Sequence, residues 1–171
     1  MSQLSIKRTT SAVFSDCKRY RYDLRRTWQD NPRLLHFCML NPSTADDIDN
    51  DPTVERCERR AKALGFGGLI VTNIFAWRST DPRVLKTLAN PVGDKTDRYK
   101  TDGYIFAATY QASMTICGWG DHGKLIDRGM IVARMLRAER FPLHYLNLNK
   151  SGHPTHPLYI GYEVQPKEWK I

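Results

Sequence analysis

The run Leu34-Leu35-His36-Phe37-Cys38-Met39-Leu40, followed at once by Asn41-Pro42-Ser43-Thr44, most narrows what this chain can fold into. Seven residues with a single polar member suit a strand covered on both faces. Pro42 removes a backbone donor and drives Asn41 away from helical angles, so the strand has to end there. Four aspartates, Asp46, Asp47, Asp49 and Asp51, crowd the following loop, and Asp51-Pro52 then opens a helix. A polar loop leaving the carboxyl end of a buried strand is where an open α/β sheet holds its ligands.

The rest of the chain extends this pattern. Asp51 suits a helix N-cap and Pro52 the first helical position, and Val54, Cys57, Ala61 and Leu64 recur on one helical face before Gly65. Gly68 to Phe75 reads as a second buried strand, and strand, helix and strand in this order imply a right-handed parallel crossover. The loop from Ala76 to Pro82 should therefore lie beside the Asn41 loop. Pro82 to Leu88 predicts a short helix, and Lys95 to Tyr110 a helix interrupted near Gly103. Met114 to Gly118 predicts a third strand. Lys124 to Glu139 predicts a helix with Ile126, Met130, Ala133 and Leu136 inward, and Leu143 to Leu148 a fourth strand. Residues 149–171 contain Gly152, Pro154, Pro157 and Pro166 and read as mostly loop.

Upstream, Ser11 to Phe14 and Tyr20 to Trp28 predict an antiparallel hairpin with Arg19, Arg21, Arg25 and Arg26 as a basic surface. The expected architecture is a single domain over residues 1–171, a three-layer α/β/α sandwich. It has a roughly four-stranded parallel sheet plus an N-terminal β-hairpin.

Charge points to the partner. Lys and Arg number 26 against 18 Asp and Glu, a net +8, which favours a polyanion such as DNA or a nucleotide. The four cysteines are widely spaced with no CxxC pair, which argues against a zinc site and fits a reducing cytoplasm. The first ten residues have no apolar signal core, and no window is long enough to span a membrane. There is no GxGxxG, Walker loop, HExxH or GxSxG, which disfavours redox cofactors and P-loop chemistry. A cytoplasmic monomer without cofactor or metal is expected.

Four loops should converge at one end of the sheet: Asn41 to Ser43 with the aspartates, Asn73 to Arg78, Trp119 to Gly123, and Gly152 to Pro157. Their runs, MLNPSTADDIDNDPTVERC, VTNIFAWRSTDP, GWG and KSGHPTHPLYI, closely resemble the bacterial and phage family catalogued as domain of unknown function 1643. More distantly the pattern is similar to the uracil-DNA glycosylase superfamily. Asn41-Pro42-Ser43 resembles its water-activating motif and Thr72-Asn73 with Arg78 its base-reading strand. His156-Pro157-Leu158 resembles its C-terminal His-Pro loop, with His153-Pro154-Thr155 as the other possible register. Leu40 stands in the motif's glycine region, and Leu158 where serine is expected.

The resemblance implies a uracil-DNA glycosylase-like fold and a DNA glycosylase that excises a uracil-like or modified base. Asn41 and His156 would be catalytic, with Asp46 as a candidate general base. Asn73 would read the base edge, Phe75 or Trp77 would stack on it, and Ser43 would line its site. Arg78, Lys150, His153, Arg19 and Arg21 would contact DNA. Two other classes remain open. One is a non-catalytic nucleic-acid or nucleotide binding module. The other is a metal-assisted nucleotide or phosphodiester hydrolase using Asp46, Asp49 and Asp51 as oxygen ligands.

Overall fold

The structure, a computed structural model, describes residues 7–94 and 98–171. The expected helix start at Lys95 lies outside the described residues. Among those residues the chain forms β1 (Thr9–Phe14), β2 (Arg21–Thr27), β3 (Leu34–Met39), α1 (Pro52–Ala63) and β4 (Gly68–Asn73). It continues through α2 (Arg98–Gln111), β5 (Met114–Gly118), α3 (Arg128–Ala138), β6 (His144–Tyr145) and β7 (Lys167–Glu168). Short 3-10 helices span Pro82–Thr87, Asp121–Asp127 and Pro157–Tyr159.

The fold is mixed α/β, built on one seven-stranded sheet in the order β1-β2-β4-β3-β5-β6-β7. The pairings β4-β3, β3-β5 and β5-β6 are parallel, while β1-β2, β2-β4 and β6-β7 are antiparallel. This differs from a four-stranded parallel sheet with a hairpin beside it. The hairpin is part of the sheet, because β2 continues it through Leu24 opposite Val71 to Thr27 opposite Gly68. A further antiparallel strand, β7, closes the other edge on β6.

Strand β3 is central and explains its apolar run. Alternate residues leave a strand on opposite faces. Leu35, Phe37 and Met39 pack with Val54, Cys57 and Ala61 of α1. Cys38 packs on the other face with Ile105 of α2 and Val132 and Leu136 of α3. Each such fully buried aliphatic side chain contributes roughly 1.5–3 kcal/mol relative to exposure. His36 points into the second face as a satisfied core residue. Its Nε2 meets Thr72 Oγ1 at 2.7 Å and its Nδ1 meets Thr115 and Thr109 hydroxyls at 3.2 and 3.3 Å. Burial pushes its pKa down to about 3.

Helix α1 starts where its cap places it, with Asp51 Oδ1 accepting the Val54 N–H at 2.8 Å. Helix α2 runs through Gly103 without a break, since its ladder needs no side chain there. Helix α3 begins at Arg128, later than the expected Lys124. Ile126 and Asp127 take left-handed φ values of 49° and 54°, kinking the chain and leaving Ile126 exposed rather than inward. The fourth parallel strand is two residues long rather than six. After Tyr145 the chain leaves the sheet to bridge Leu148 with Pro154.

The expected basic surface on the hairpin is not formed. Strand β2 is internal, so Arg21 and Arg26 are buried. Arg21 Nη1 donates to Ala45 O at 2.9 Å, and Arg26 Nη2 donates to Asp46 O and Asp49 O at 2.6 and 3.2 Å. Both guanidinium groups thus hold the acidic loop by its carbonyls. Arg25 is paired with Asp23 and bonded to Gln111, leaving Arg19 as the exposed member of the set. No described helix is long and apolar enough to cross a membrane.

Candidate functional site

A cavity of about 630 Å³ opens at the carboxyl ends of the parallel strands, within the range of small-molecule sites. Its walls come from the loops after β3, β4, β5 and β6, though on the β4 side from residues beyond the expected Asn73 to Arg78. Leu40, Asn41, Ser43 and Thr44 follow β3, and Asp51, Pro52 and Thr53 come from the start of α1. Ser79, Thr80 and Pro82 follow β4, Trp119 to His122 follow β5, and Asn149, Thr155, His156, Leu158 and Tyr159 follow β6.

Two glycines make the loops meet. A Cβ at Gly118 would lie 2.7 Å from Pro157 Cδ, so only glycine lets the His156-Pro157 segment seat on the end of β5. Gly120 has φ +68°, and its N–H donates to Pro154 O at 2.8 Å. On the α1 side, Arg56 donates to Pro157 O and Ile160 O at 3.2 and 2.7 Å.

His156 has the most specific environment. Its Nδ1 accepts the Leu158 N–H at 3.3 Å, capping the 3-10 turn Pro157–Tyr159. Burial lowers its pKa to about 4, opposed by the Asp51 carboxylate. The ring is therefore neutral at pH 7. With Nδ1 accepting, Nε2 carries the proton and is a donor, an assignment made from the hydrogen-bond pattern.

Asn41 lines the cavity, but its amide nitrogen also braces the walls. Nδ2 donates to Ser79 O at 2.9 Å, Pro42 O at 3.1 Å and Trp77 O at 3.4 Å. Ser43 lines the cavity as well. Asp51 is both cap and wall: Oδ1 accepts from Val54 and Oδ2 from the Ala45 N–H at 3.3 Å.

The other sequence candidates lie elsewhere. Asp46 is not in the cavity wall. Its Oδ1 accepts the Asp49 and Ile48 N–H groups at 2.7 and 2.8 Å, which lowers its pKa and makes it a turn residue. Asn73 is buried at the end of β4, its Oδ1 accepting from Arg21 Nη2 at 3.4 Å. Phe75 is fully buried in the core, and Trp77 packs edge-on against Tyr20 at 5.4 Å. None of these three lines the cavity: Asn73 is engaged by Arg21, Phe75 packs in the core with Ile105 and Val132, and Trp77 packs on Tyr20.

The basic candidates also separate. Arg21 is a core residue whose burial lowers its pKa to about 10. His153 is buried, accepts from Trp119 Nε1 at 3.1 Å, and is held below the usual histidine range by desolvation. It is a buttress for the Trp119 wall and does not offer a surface contact, and His156 is the histidine of this loop in the cavity. Arg78 lies over the Phe14 ring at 4.8 Å and donates to Lys18 O. Arg19 and Lys150 are exposed.

Tyr159 and Asn149 line the wall outside the bounds of the expected loops, and His122 and Thr155 lie within expected loops but have no expected role. Tyr159 is 80% exposed at the rim, its ring 5.9 Å from that of His156. The available signal was His156-Pro157, a capping residue before a proline at the first helical position, which opens the turn carrying Tyr159.

Among the described residues no group of three His, Cys, Asp or Glu side chains is placed to hold an ion. Asp46 caps its own turn and Asp51 caps α1. Neither the curated proteins nor the solved structures contain a match to the chain. The model of one family, "Protein of unknown function (DUF1643)", matches residues 21–158, and the chain belongs to that family.

Proposed function

We propose that this protein is a glycosylase-like hydrolase, on a uracil-DNA glycosylase-like fold, that cleaves the N-glycosidic bond of a uracil-like or modified base in DNA. One observation carries the reading: a neutral histidine, His156, whose Nε2–H has no acceptor among the described residues, shares a cavity with Asn41 and the Asp51 carboxylate.

The chemistry follows from those groups. The bond between the sugar C1′ and the base nitrogen breaks, and its electron pair leaves with the base. The His156 donor stabilises the negative charge arriving on the departing base, a contribution of order 2.7–4 kcal/mol for one such donor. Positive charge develops on the sugar, and Asp51 is the wall carboxylate suited to face it. Water then adds hydroxide to C1′, and its proton goes to the base. A base in a duplex must first be extruded, at a few kcal/mol, and stacked on a ring. Tyr159 at the rim replaces Phe75 and Trp77 in that role.

The test is incubation with DNA carrying uracil, mismatched or hypermodified bases, with EDTA present and released free base measured by mass spectrometry. Release of one base class supports the reading; none from any DNA that the protein binds overturns it. A second reading, a non-catalytic nucleic-acid or nucleotide binding module, is favoured by the way Asn41 Nδ2 is spent on three backbone carbonyls. It expects binding without product.

A further inference from the structure

A second, smaller cavity of about 200 Å³ lies against the main one, between the 3-10 helices Pro82–Thr87 and Asp121–Asp127. The two cavities share Pro82, Asp121 and His122, so they are adjoining compartments of one groove. Their chemistry differs. The main cavity carries the carboxylates of Asp51 and Asp121. The small one is lined by Arg83, Lys86 and His122 with Asp121, and the Asp81 carboxylate is held on Arg83 beside it.

The cations there are available. Arg83 spends Nε and Nη2 on Asp81, which fixes the guanidinium and leaves Nη1 without a protein acceptor among the described residues. Lys86 is exposed and engages no carboxylate among the described residues. Asp121 is itself engaged by the Ser151 hydroxyl and by Lys124 at 3.7 Å, so part of its charge is already offset. A site with a fixed guanidinium edge, a free ammonium and an imidazole suits a phosphate oxyanion.

We propose that the small cavity is a phosphate subsite of the main one. The ligand then carries a phosphate mono- or diester next to the group that enters the His156 cavity. This rests on the nucleobase reading of the main cavity and narrows it: the substrate is a nucleotide or a strand, and a free nucleoside is excluded. A strand would run across Arg83 and Lys86 into the cavity that Tyr159 also lines.

The test uses binding, so it does not depend on turnover. A fluorescein-labelled single-stranded DNA and, separately, a deoxynucleoside 5′-monophosphate and its parent deoxynucleoside are titrated at several salt concentrations. The proteins are wild type, Lys86→Glu, Arg83→Glu, and Lys167→Glu on β7 as a control for overall charge. Strand affinity should fall about tenfold or more in the first two variants. The slope of log affinity on log salt should drop by about 0.7 for each phosphate that is no longer neutralised. Lys167→Glu should lower affinity far less. Tight monophosphate binding would assign the phosphate to a free nucleotide, and binding of the strand alone to a polymer.

Equal effects of Lys86→Glu and Lys167→Glu, an unchanged slope, or absence of wild-type binding to every phosphate probe at low salt would overturn the subsite. A strand that binds through Lys86 yet loses no base would retain the subsite and reject the hydrolase reading.

Discussion

The Asn41 side-chain nitrogen donates to the Ser79 carbonyl at 2.9 Å, joining the loop after β3 to the loop after β4 across one wall of the cavity. Asn41→Ala therefore removes a structural tie as well as a wall amide. The expected loss is about 1–3 kcal/mol, the cost of leaving a buried partner unsatisfied. Asn41→Asp should be worse, since it sets a carboxylate against the carbonyls of Pro42 and Ser79. Urea denaturation of both variants checks this ordering. Equal stability of all three proteins would show that the tie contributes nothing.

Buried arginine distinguishes core from surface on the hairpin. Arg21→Ala should destabilise by about 1.5–3 kcal/mol, because it strips a charged donor from Ala45 O and Asn73 Oδ1. Arg19→Ala, at an exposed turn position, should stay within about 0.5 kcal/mol of wild type. Thermal melts of the pair decide it, and the opposite order would return Arg21 to the surface.

Acid should unfold the protein through its neutral histidines. His156 and His36 have native pKa values lowered to about 4 and about 3, while an unfolded histidine titrates near 6.5. The unfolded chain binds these protons first. Their contribution is thus fully present above pH 6.5 and is lost progressively as pH falls from 6.5 toward 4, with a slope of at most about 1.4 kcal/mol per pH unit for each histidine. Urea midpoints from pH 7 to pH 4.5 measure the slope. His156→Gln should reduce it by one proton's share, and an unchanged slope in that variant would place a charged imidazole in the native cavity.

Tyr159 lies at the rim and not in the core, so Tyr159→Ala should leave the melting temperature unchanged while weakening ligand binding. The stacking of one base on one ring accounts for about 1–3 kcal/mol, or roughly 5- to 150-fold in affinity. Fluorescence anisotropy with labelled single-stranded DNA is the check. Retained affinity would remove Tyr159 from the binding surface.

Much of the framework was legible because it depends on local signals. The Leu34 to Leu40 run, the Asp51-Pro52 helix start and the His36 core position follow from burial pattern and capping. So does the meeting of four loops at one strand end. The failures come from contacts distant in sequence. Nothing near Arg21 or Arg26 shows that β2 will be sandwiched between β1 and β4, so alternation on the hairpin read as a solvated face. Asn73, Phe75 and Trp77 lie at or just beyond a strand's end, but contacts with Arg21, the core beneath α2 and α3, and Tyr20 take them out of the cavity wall. Asp46, read as a candidate general base, is the exception with a local cause, since its Oδ1 is taken up by N–H groups two and three residues ahead.

The proposed role of the neutral His156 donor in N-glycosidic cleavage stands or falls on turnover. The direct measurement compares wild type with His156→Ala on base-modified DNA in EDTA, scoring strand breaks that appear only after hot alkali. Alkali-dependent breaks are expected at one class of base with wild type, and a rate lower by about 100- to 1,000-fold in the variant at equal DNA binding. Breaks that persist at the wild-type rate in a folded variant, or no abasic sites in any DNA the wild type binds, would contradict it.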